Sequence, residues 1–372
     1  MKNRNIVMII AALCMIIMGA CFSPWDGSGS QGNIVINVGS GARLAASDIK
    51  EYKITLTDSG ETSISKTTPG GTVDFSVPPG NWNILVRAMG NMVGGIGPII
   101  PPSSPSSDDV LIGYGKKDVE VKAGAITDVT VTVELLPEGV TEVVSAWTDL
   151  ENALEKATKN ETVMLTSNLR VNSSIQIPSG KNITLLAQGS VTIKKADNGN
   201  FDNSMFRVPS DSSLTLGVKE GMPGTITFDG NKENYSGKSS SSLIYVGNQR
   251  IYSPSDRRTE GDGGTLTIYK SVFLTNNYAN ARSNDRGGAV VVDNGTFYMY
   301  GGEIYGNTNT DKGGGVRVLS GTFTKTDGII YGNEVTVGAK KNTATSGQAV
   351  YYETSKTAID TTLWQDNNLP KQ

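Results

Sequence analysis

Histidine is absent from this 372-residue chain, and cysteine occurs only at Cys14 and Cys21. A Ser-His-Asp or Cys-His nucleophilic site and a histidine-ligated zinc centre are therefore excluded. Proton transfer would depend on carboxylate, lysine, arginine or tyrosine side chains, and a bound metal would be an oxygen-ligated ion such as calcium. Acidic and arginine side chains suited to this chemistry concentrate in two stretches: Asp256, Arg257, Arg258, Asp262, Asp285 and Arg286. Their spacing matches no catalytic motif, so solvated loop charges are the alternative interpretation.

The amino terminus has the pattern of an export signal. Lys2 and Arg4 precede an apolar run that ends in the sequence MGAC at Cys21. The run is shorter than the about 20 apolar residues of a membrane-spanning helix, which favours a removable segment, residues 1–20. The MGAC sequence resembles the lipobox of bacterial lipoproteins, which implies a lipid anchor on Cys21 and a place in the outer membrane or at the cell surface. An ordinary signal peptide with an incidental cysteine is the alternative.

The charge balance restricts the partners of the chain. Its formal net charge is −3, and loss of Lys2 and Arg4 with the signal segment makes the remainder more acidic. Sequence-independent nucleic-acid binding needs a basic face, so no nucleic-acid partner is expected. Cys14 would leave with the signal segment and Cys21 would carry lipid, so no disulfide is expected in the exported protein.

Two segments follow the predicted anchor. Residues 21–32 are rich in Gly and Ser, which predicts a flexible tether. Residues 33–136 contain short runs of alternating apolar and polar side chains, such as NIVINV from Asn33 and VTVTVEL from Val129, and these predict an antiparallel β-sandwich. The stretch FSVPPGNWNILVRA from Phe75 resembles the strand-PPG-strand hairpin of prealbumin-like and carboxypeptidase-regulatory-like domains, which implies a spacer.

A short amphipathic helix is predicted next, in the stretch AWTDLENALEKAT from Ala146. Its apolar residues have helical spacing: Trp147, Leu150, Leu154 and Ala157. Ser145 precedes them as a candidate amino-terminal cap. A helix followed by ETVMLTSNLRV resembles the short helical cap of pectin-lyase-like β-helices, and a plain interdomain helix is the alternative.

An internal repeat gives the strongest indication of fold. RGGAVVVDNGTFYMYGGEIYGN from Arg286 aligns without gaps on KGGGVRVLSGTFTKTDGIIYGN from Lys312, at a spacing of 26 residues. A period of this length is typical of a solenoid in which each repeat makes one coil. The repeats resemble those of adhesin-like surface proteins with a right-handed parallel β-helix. The resemblance implies such a domain over residues 145–353, and residues 354–372 are interpreted as a carboxy-terminal tail.

The two-residue alternation within the repeats predicts the interior. The inward pairs are Val290/Val292, Phe297/Met299, Leu266/Ile268, Ile226/Phe228, Leu214/Leu216 and Ile183/Leu185. Lys325 takes the position of Met299 and would also point inward. Asn307 and Asn333 recur at one turn, where stacked amides could form a hydrogen-bonded ladder. Turn residues that tolerate positive φ are the equal alternative.

Connections of variable length follow Asn231, Asn276, Asn307 and Asn333, and insertions at one turn of a solenoid often form its binding side. Candidate ligand-binding residues on these turns are Tyr235, Tyr278, Arg282, Asp285, Arg286, Asp311 and Lys312. Tyr305 and Tyr331 recur one coil apart and could present stacked rings to a ligand, with a stabilising exterior ladder as the alternative.

These patterns predict an all-β, membrane-anchored lipoprotein that acts without catalysis as an adhesin-like protein. Its expected partners are the membrane, through the lipid, and an extracellular glycan or host protein. A polysaccharide lyase or another carbohydrate-active enzyme is the alternative, because lyases of this fold resemble the chain in architecture and use acidic residues to hold calcium beside an arginine or lysine base. No cofactor is expected for the first function, and calcium only for the alternative.

Overall fold

The computed structural model describes residues 31–41, 44, 49–90, 110–137, 139–197, 203–238, 240–247, 263–280, 287–334 and 338–363. The predicted signal segment, Cys21 and almost all of the predicted tether lie outside these ranges. Within them β-strands dominate, and the helices are α1 (Trp147–Lys156), α2 (Lys232–Tyr235) and a 3-10 turn (Gly338–Lys340). None of the described helices is long and apolar enough to cross a membrane.

Seven strands form the first sheet: β1 Gly32–Ser40, β2 Ile49–Asp58, β3 Ser63–Thr68, β4 Thr72–Val77, β5 Gly80–Gly90, β6 Val110–Val121 and β7 Ile126–Leu135. Their order is β3-β2-β5-β6-β7-β1-β4, and the pairs are antiparallel except β1 with β7. The predicted pair of separate sheets is not confirmed. The halves are continuous, because β6 and β7 pair at Gly113↔Leu135 and Tyr114↔Glu134.

The predicted PPG hairpin is wrong. β4 pairs with β1, whereas β5 pairs with β2 and β6, so the Pro-Pro-Gly connection carries the chain from one half of the sheet to the other. Trp82 is buried in the core, and its indole N–H donates to the carbonyl oxygen of Pro78 at 3.0 Å. Phe75 and Ile84 therefore reach one shared apolar core from opposite sides of this connection.

The remaining strands are short, apart from β21 and β23. They are β8 Glu142–Val144, β9 Asn160–Leu165, β10 Leu169–Val171, β11 Ile175–Gln176, β12 Asn182–Ala187, β13 Ser190–Lys195, β14 Phe206–Val208, β15 Ser213–Leu216, β16 Thr225–Asp229, β17 Ile244–Val246, β18 Thr265–Ile268, β19 Val272–Thr275, β20 Tyr278–Ala279, β21 Val290–Tyr305, β22 Thr308–Asn309, β23 Val316–Ile330, β24 Val350–Tyr352 and β25 Thr357–Ile359.

Three parallel ladders arise from these strands. The first is β8-β9-β12-β15-β18-β21-β23, the second is β10-β13-β16-β19-β21-β23, and the third is β11-β14-β17-β21-β23-β24. β21 and β23 each contribute to all three ladders, because each runs round a whole coil. The chain therefore winds about a common core, and this second region is an all-β, β-helix-like coiled sheet.

The coil interior has the predicted alternation. All twelve predicted inward residues are buried in one cluster, where the rings of Phe297 and Phe323 stack with centroids 4.8 Å apart. The register pairs Met299 with Lys325, and Lys325 is buried as expected. Gly288 shows why the repeat needs glycine, since a Cβ there would overlap the carbonyl oxygen of Gly314 on the next coil.

Both ends of the coiled sheet are covered. At the amino-terminal end, α1 packs its predicted apolar side on the core, and Trp147 meets Phe206 edge to face at 5.4 Å. The predicted Ser145 cap is wrong, because Ala146 occupies the cap position and no side chain bonds the helix end. At the other end β25 pairs antiparallel with β24. Residues 354–363 of the predicted tail therefore lie on the last coil.

An asparagine column, formed by Asn277, Asn307 and Asn342, crosses three coils inside this region. The backbone N–H of Asn277 donates to Asn307 Oδ1 at 3.1 Å, and that of Asn307 donates to Asn342 Oδ1 at 2.9 Å. Their side-chain amides donate in turn to backbone carbonyl oxygens of the coils. Asn307 thus lies in a ladder as proposed, but Asn333 is exposed and Asn342 takes its place.

Candidate functional site

Among the described residues, the most exposed aromatic surface lies on the outside of the coils, where the paired strand segments of the first ladder end. The exterior tyrosine group consists of Tyr269, Tyr298 and Tyr300. The rings of Tyr269 and Tyr300 stack across neighbouring coils with centroids 5.5 Å apart, and Tyr298 stacks on Tyr300 at 5.8 Å. Tyr300 is 36% exposed, the most of any described tyrosine. These rings lie on or directly beside paired strands, which fixes their spacing.

The predicted Tyr305/Tyr331 surface belongs to a second group, the lysine-tyrosine cluster of Glu303, Tyr305, Tyr331 and Lys340. The two rings meet edge to face at 6.0 Å rather than stacking as expected. The Lys340 ammonium lies 5.2 Å from the Tyr305 ring and 4.9 Å from the Tyr331 ring. It donates to Glu303 Oε2 at 2.8 Å and to the Tyr331 hydroxyl at 3.1 Å. The rings are therefore partly covered by Lys340, and Tyr331 is buried.

This arrangement fixes the protonation of Lys340. Its hydrogen bonds to Glu303 and Tyr331 raise the pKa of the ammonium above its ordinary value, while burial lowers it by a smaller amount. An ammonium with a raised pKa stays charged at neutral pH and cannot accept a proton there. The cluster can donate hydrogen bonds and contact aromatic or polar surfaces, but its lysine is unsuited to act as a base.

Asp311 and Lys312 lie in a third group, the Glu353 ion cluster, with Arg317, Glu353 and Lys356. Arg317 donates towards Asp311 at 3.4 Å and towards Glu353 at 3.3 Å, and Lys312 reaches Glu353 at 3.4 Å. Burial would raise the pKa of Glu353, but the hydrogen bond from Lys356 and the charges of Arg317 and Lys312 lower it to about 2. Two predicted site residues, Asp311 and Lys312, therefore lie in one group. Their charges are paired with other side chains of the same protein.

The other predicted site residues do not join these groups. Tyr235 is 0% exposed, and its hydroxyl donates to the carbonyl oxygen of Ala196 at 3.0 Å, so its assignment to a binding surface is wrong. Tyr278 is half-buried against the coil core. The remaining predicted residues lie outside the described ranges: Arg282, Asp285, Arg286 and, for the enzymatic alternative, Asp256, Arg257, Arg258 and Asp262.

The described parts of the variable turns stack on one another. β20 pairs with β22 in parallel, and Thr308 bridges onward to Thr343. The backbone N–H of Thr345 donates to the carbonyl oxygen of Asp311 at 2.8 Å. Asn277, predicted as the first residue of one such turn, lies instead in the buried asparagine column. The described parts of these turns therefore form a short fourth row of stacked segments beside the three ladders.

Carboxylates do not gather into a metal site in the part of the chain that the structure describes, where no group of three acidic or cysteine side chains could hold an ion. The chain matches no protein-family model, no curated protein and no solved structure.

The exterior tyrosine group was missed by the sequence analysis, although the sequence contains a signal for it. In the repeats GTLTIY from Gly264 and GTFYMY from Gly295, Tyr269 and Tyr300 follow the paired inward residues Ile268 and Met299. Recurrence of an aromatic residue just after the inward strand positions predicts neighbouring rings on successive coils.

Proposed function

We propose that this chain is an exported, membrane-anchored lipoprotein that acts without catalysis as an adhesin-like protein, contacting an extracellular glycan or host protein through the exterior tyrosine group. The stacking of Tyr269 on Tyr300 across two coils carries the proposal. Tyrosines supply large contact areas with few rotatable bonds, so rings held by a rigid sheet lose little entropy on binding. Lys270, which follows Tyr269 directly, is 70% exposed at its side chain and lies 3.9 Å from the Asp327 carboxylate.

Binding is favoured over catalysis by the state of two charged groups on the coils, Lys340 and Glu353. The raised pKa of Lys340 and the pKa of about 2 at Glu353 keep both groups ionised at neutral pH. A general acid or base works best with a pKa near the operating pH, and neither group meets this condition. Their geometry supports fixed contacts with a partner or within the coils.

The fold class of each of the two regions is part of the same proposal. We assign the coiled sheet to the right-handed parallel β-helix, pectin-lyase-like class, supported by the three ladders, the 26-residue register and the covering helix α1. We assign residues 33–136 to a prealbumin-like sandwich that spaces the coils from the membrane. Support for the sandwich comes from the narrow β6–β7 junction and from the core that the two halves share.

Lipid attachment at Cys21 is tested by the Cys21→Ala variant. Acyl chains contribute about 0.8 kcal/mol per buried methylene, and the described helices offer no membrane span, so loss of the lipid should release the protein. We expect the variant to be exported and to leave the detergent phase in a partitioning experiment. Unchanged partitioning would contradict lipid anchoring at this residue.

The contact surface is tested by a Tyr269→Ala/Tyr300→Ala variant. Its matched control is Thr184→Ala/Thr215→Ala, a register pair on the outside of the same ladder in earlier coils. Attachment to immobilised glycans and extracellular-matrix proteins should fall about tenfold for the tyrosine variant, since two aromatic contacts are removed, and remain unchanged for the control.

Two results would overturn this proposal. One is equal attachment of both variants with circular dichroism spectra like that of the wild type. The other is the release of unsaturated uronate from acidic polysaccharides by the purified chain with calcium, which would identify a lyase.

A further inference from the structure

A polar cavity of about 350 Å³ lies where the amino-terminal sheet meets the first coil. We name it the junction cavity. Its lining comes from the end of β2 and the β2–β3 turn, from β5, from Ser145, which precedes the helix cap Ala146, and from β10 and β13 with residues next to them. Its volume falls in the range of small-molecule sites, which begins at about 300 Å³.

Contacts on two sides hold this junction together. In the β2–β3 turn, Asp58 Oδ1 accepts the backbone N–H groups of Gly60 and Thr62 at 2.9 and 2.8 Å. This turn places the Glu61 carboxylate where it accepts the backbone N–H of Arg170. On the other side, Arg87 Nε donates to the carbonyl oxygen of Val143 at 2.8 Å. The cavity is therefore a built feature of the contact between the two regions.

Unpartnered oxygens concentrate in its wall. Five buried side-chain oxygens that lack a hydrogen-bond partner belong to lining residues: Thr57 Oγ1, Glu61 Oε2, Asn83 Oδ1, Ser145 Oγ and Ser167 Oγ. Thr57 is 5% exposed and Ser145 is 3% exposed, so neither residue is freely solvated. A buried hydroxyl without a partner destabilises the folded protein, and such groups are rare in native proteins. The concentration of unpartnered oxygens in this wall indicates that a polar molecule occupies the cavity.

The charges of the wall select a neutral occupant. Arg170 pairs with Asp197 at 2.8 Å, and Lys194 lies 3.9 Å from the same carboxylate. Asp58 and Glu61 add further negative charge. Arg170, Lys194 and Lys195 balance the carboxylates of Asp58, Glu61 and Asp197, so the wall has no net formal charge that would attract an anion or a cation. A hydroxyl-rich neutral ligand could instead donate to the carboxylate and amide oxygens.

We propose that the junction cavity binds one unit of a neutral saccharide, whose hydroxyl groups enter between the β2–β3 turn and the first coil and bond the unpartnered oxygens. The sugar donates to Glu61 Oε2 and Asn83 Oδ1 and exchanges hydrogen bonds with the hydroxyls of Thr57, Ser145 and Ser167. This site is separate from the exterior tyrosine group, and its existence does not depend on the adhesin-like function.

The test uses the full chain purified in detergent and titrated calorimetrically with glucose, galactose, mannose and N-acetylglucosamine, with glucuronate as the charged comparison. A Thr57→Val/Ser145→Ala variant removes two of the unpartnered hydroxyls. The matched control is Thr55→Val, a buried threonine of the same strand whose hydroxyl already bonds Ser65 at 3.0 Å. We expect millimolar binding of at least one neutral sugar, weakened about fivefold for each hydroxyl lost and unchanged in the control.

Three outcomes would overturn the inference. The first is no heat of binding with any of the neutral sugars, which would leave water as the occupant. The second is binding of glucuronate as tight as that of the neutral sugars. The third is loss of binding in the Tyr269→Ala/Tyr300→Ala variant with no change in Thr57→Val/Ser145→Ala, which would assign the sugar to the exterior tyrosine group.

Discussion

The asparagine column and the junction cavity both bury polar side chains, yet they differ in how those side chains are satisfied. In the column, Asn307 accepts from Asn277 and donates to the carbonyl oxygen of Leu274 at 3.0 Å. In the junction cavity, the hydroxyls of Thr57 and Ser145 have no partner. The side chains of the column are satisfied by partners within the coils. The hydroxyls of the cavity wall remain able to bond another molecule.

This difference reflects how the two regions are built. Parallel coils repeat at about 4.8 Å, so an amide on one coil meets the backbone of the next and satisfies it. The junction joins two elements that do not repeat, and their polar surfaces meet at a few points such as Glu61 and Arg170. We infer that the buried polar side chains inside the coils stabilise the fold, whereas those at the junction bind another molecule.

The largest effect that separates the two regions is expected from Asn307→Ala. The substitution removes a side chain that bonds the carbonyl oxygens of Leu274 and Tyr305, and it leaves the backbone N–H of Asn277 without an acceptor. The free energy of unfolding, measured with urea, should fall by about 3 kcal/mol.

Asn333→Ala is the matched control for that substitution, since Asn333 occupies the same repeat position but is exposed. Its effect should stay within about 0.5 kcal/mol. Similar losses at Asn307 and Asn333 would mean that the column contributes no more than a surface turn.

A smaller effect of opposite sign is expected when the apo forms of the junction variants are unfolded with urea. Thr57→Val replaces an unpartnered hydroxyl by a methyl group, so the free energy of unfolding should remain unchanged or rise by up to about 1 kcal/mol. Thr55→Val removes a partnered hydroxyl and should lower it by about 1 kcal/mol. A clear loss of stability in Thr57→Val would show that its hydroxyl is satisfied in the apo protein and that the junction does not differ from the column in this respect.

Much of the coiled region could be predicted because its information is local and repeated. Alternation identified Phe297 and Met299 as inward residues, and the 26-residue spacing matches the register of β21 with β23. The partner of Asn307 could not be predicted in this way. Asn342 lies in a longer turn outside the repeat alignment, so equal spacing pointed to Asn333 instead.

The junction could not be predicted because its parts are distant in sequence. Glu61 and Arg170 are 109 residues apart, and neither belongs to a motif. The Pro-Pro-Gly connection shows a related limit, since a turn signal after Phe75 indicates where a strand ends but does not specify which strand pairs with it. Burial of Tyr235 likewise depends on Ala196 and on the coil above it, which a local sequence pattern cannot reveal.

The register between successive coils creates both the asparagine column and the exterior tyrosine group. It is tested most directly by disulfide formation in a chain with Cys14→Ala and Cys21→Ala. Thr296→Cys/Thr322→Cys places two thiols at directly paired outward positions of β21 and β23. Neighbouring strands lie about 4.8 Å apart, which suits a disulfide.

The control is Thr296→Cys/Thr324→Cys, which shifts one thiol by two residues, about 6.6 Å along the strand, and takes the Cα separation beyond the limit of about 7 Å. Mild oxidation followed by mass spectrometry should show an internal disulfide in the Thr296/Thr322 variant and free thiols in the Thr296/Thr324 variant. A disulfide in the control alone, or equal oxidation of both variants, would contradict the register and with it the account of the coiled sheet.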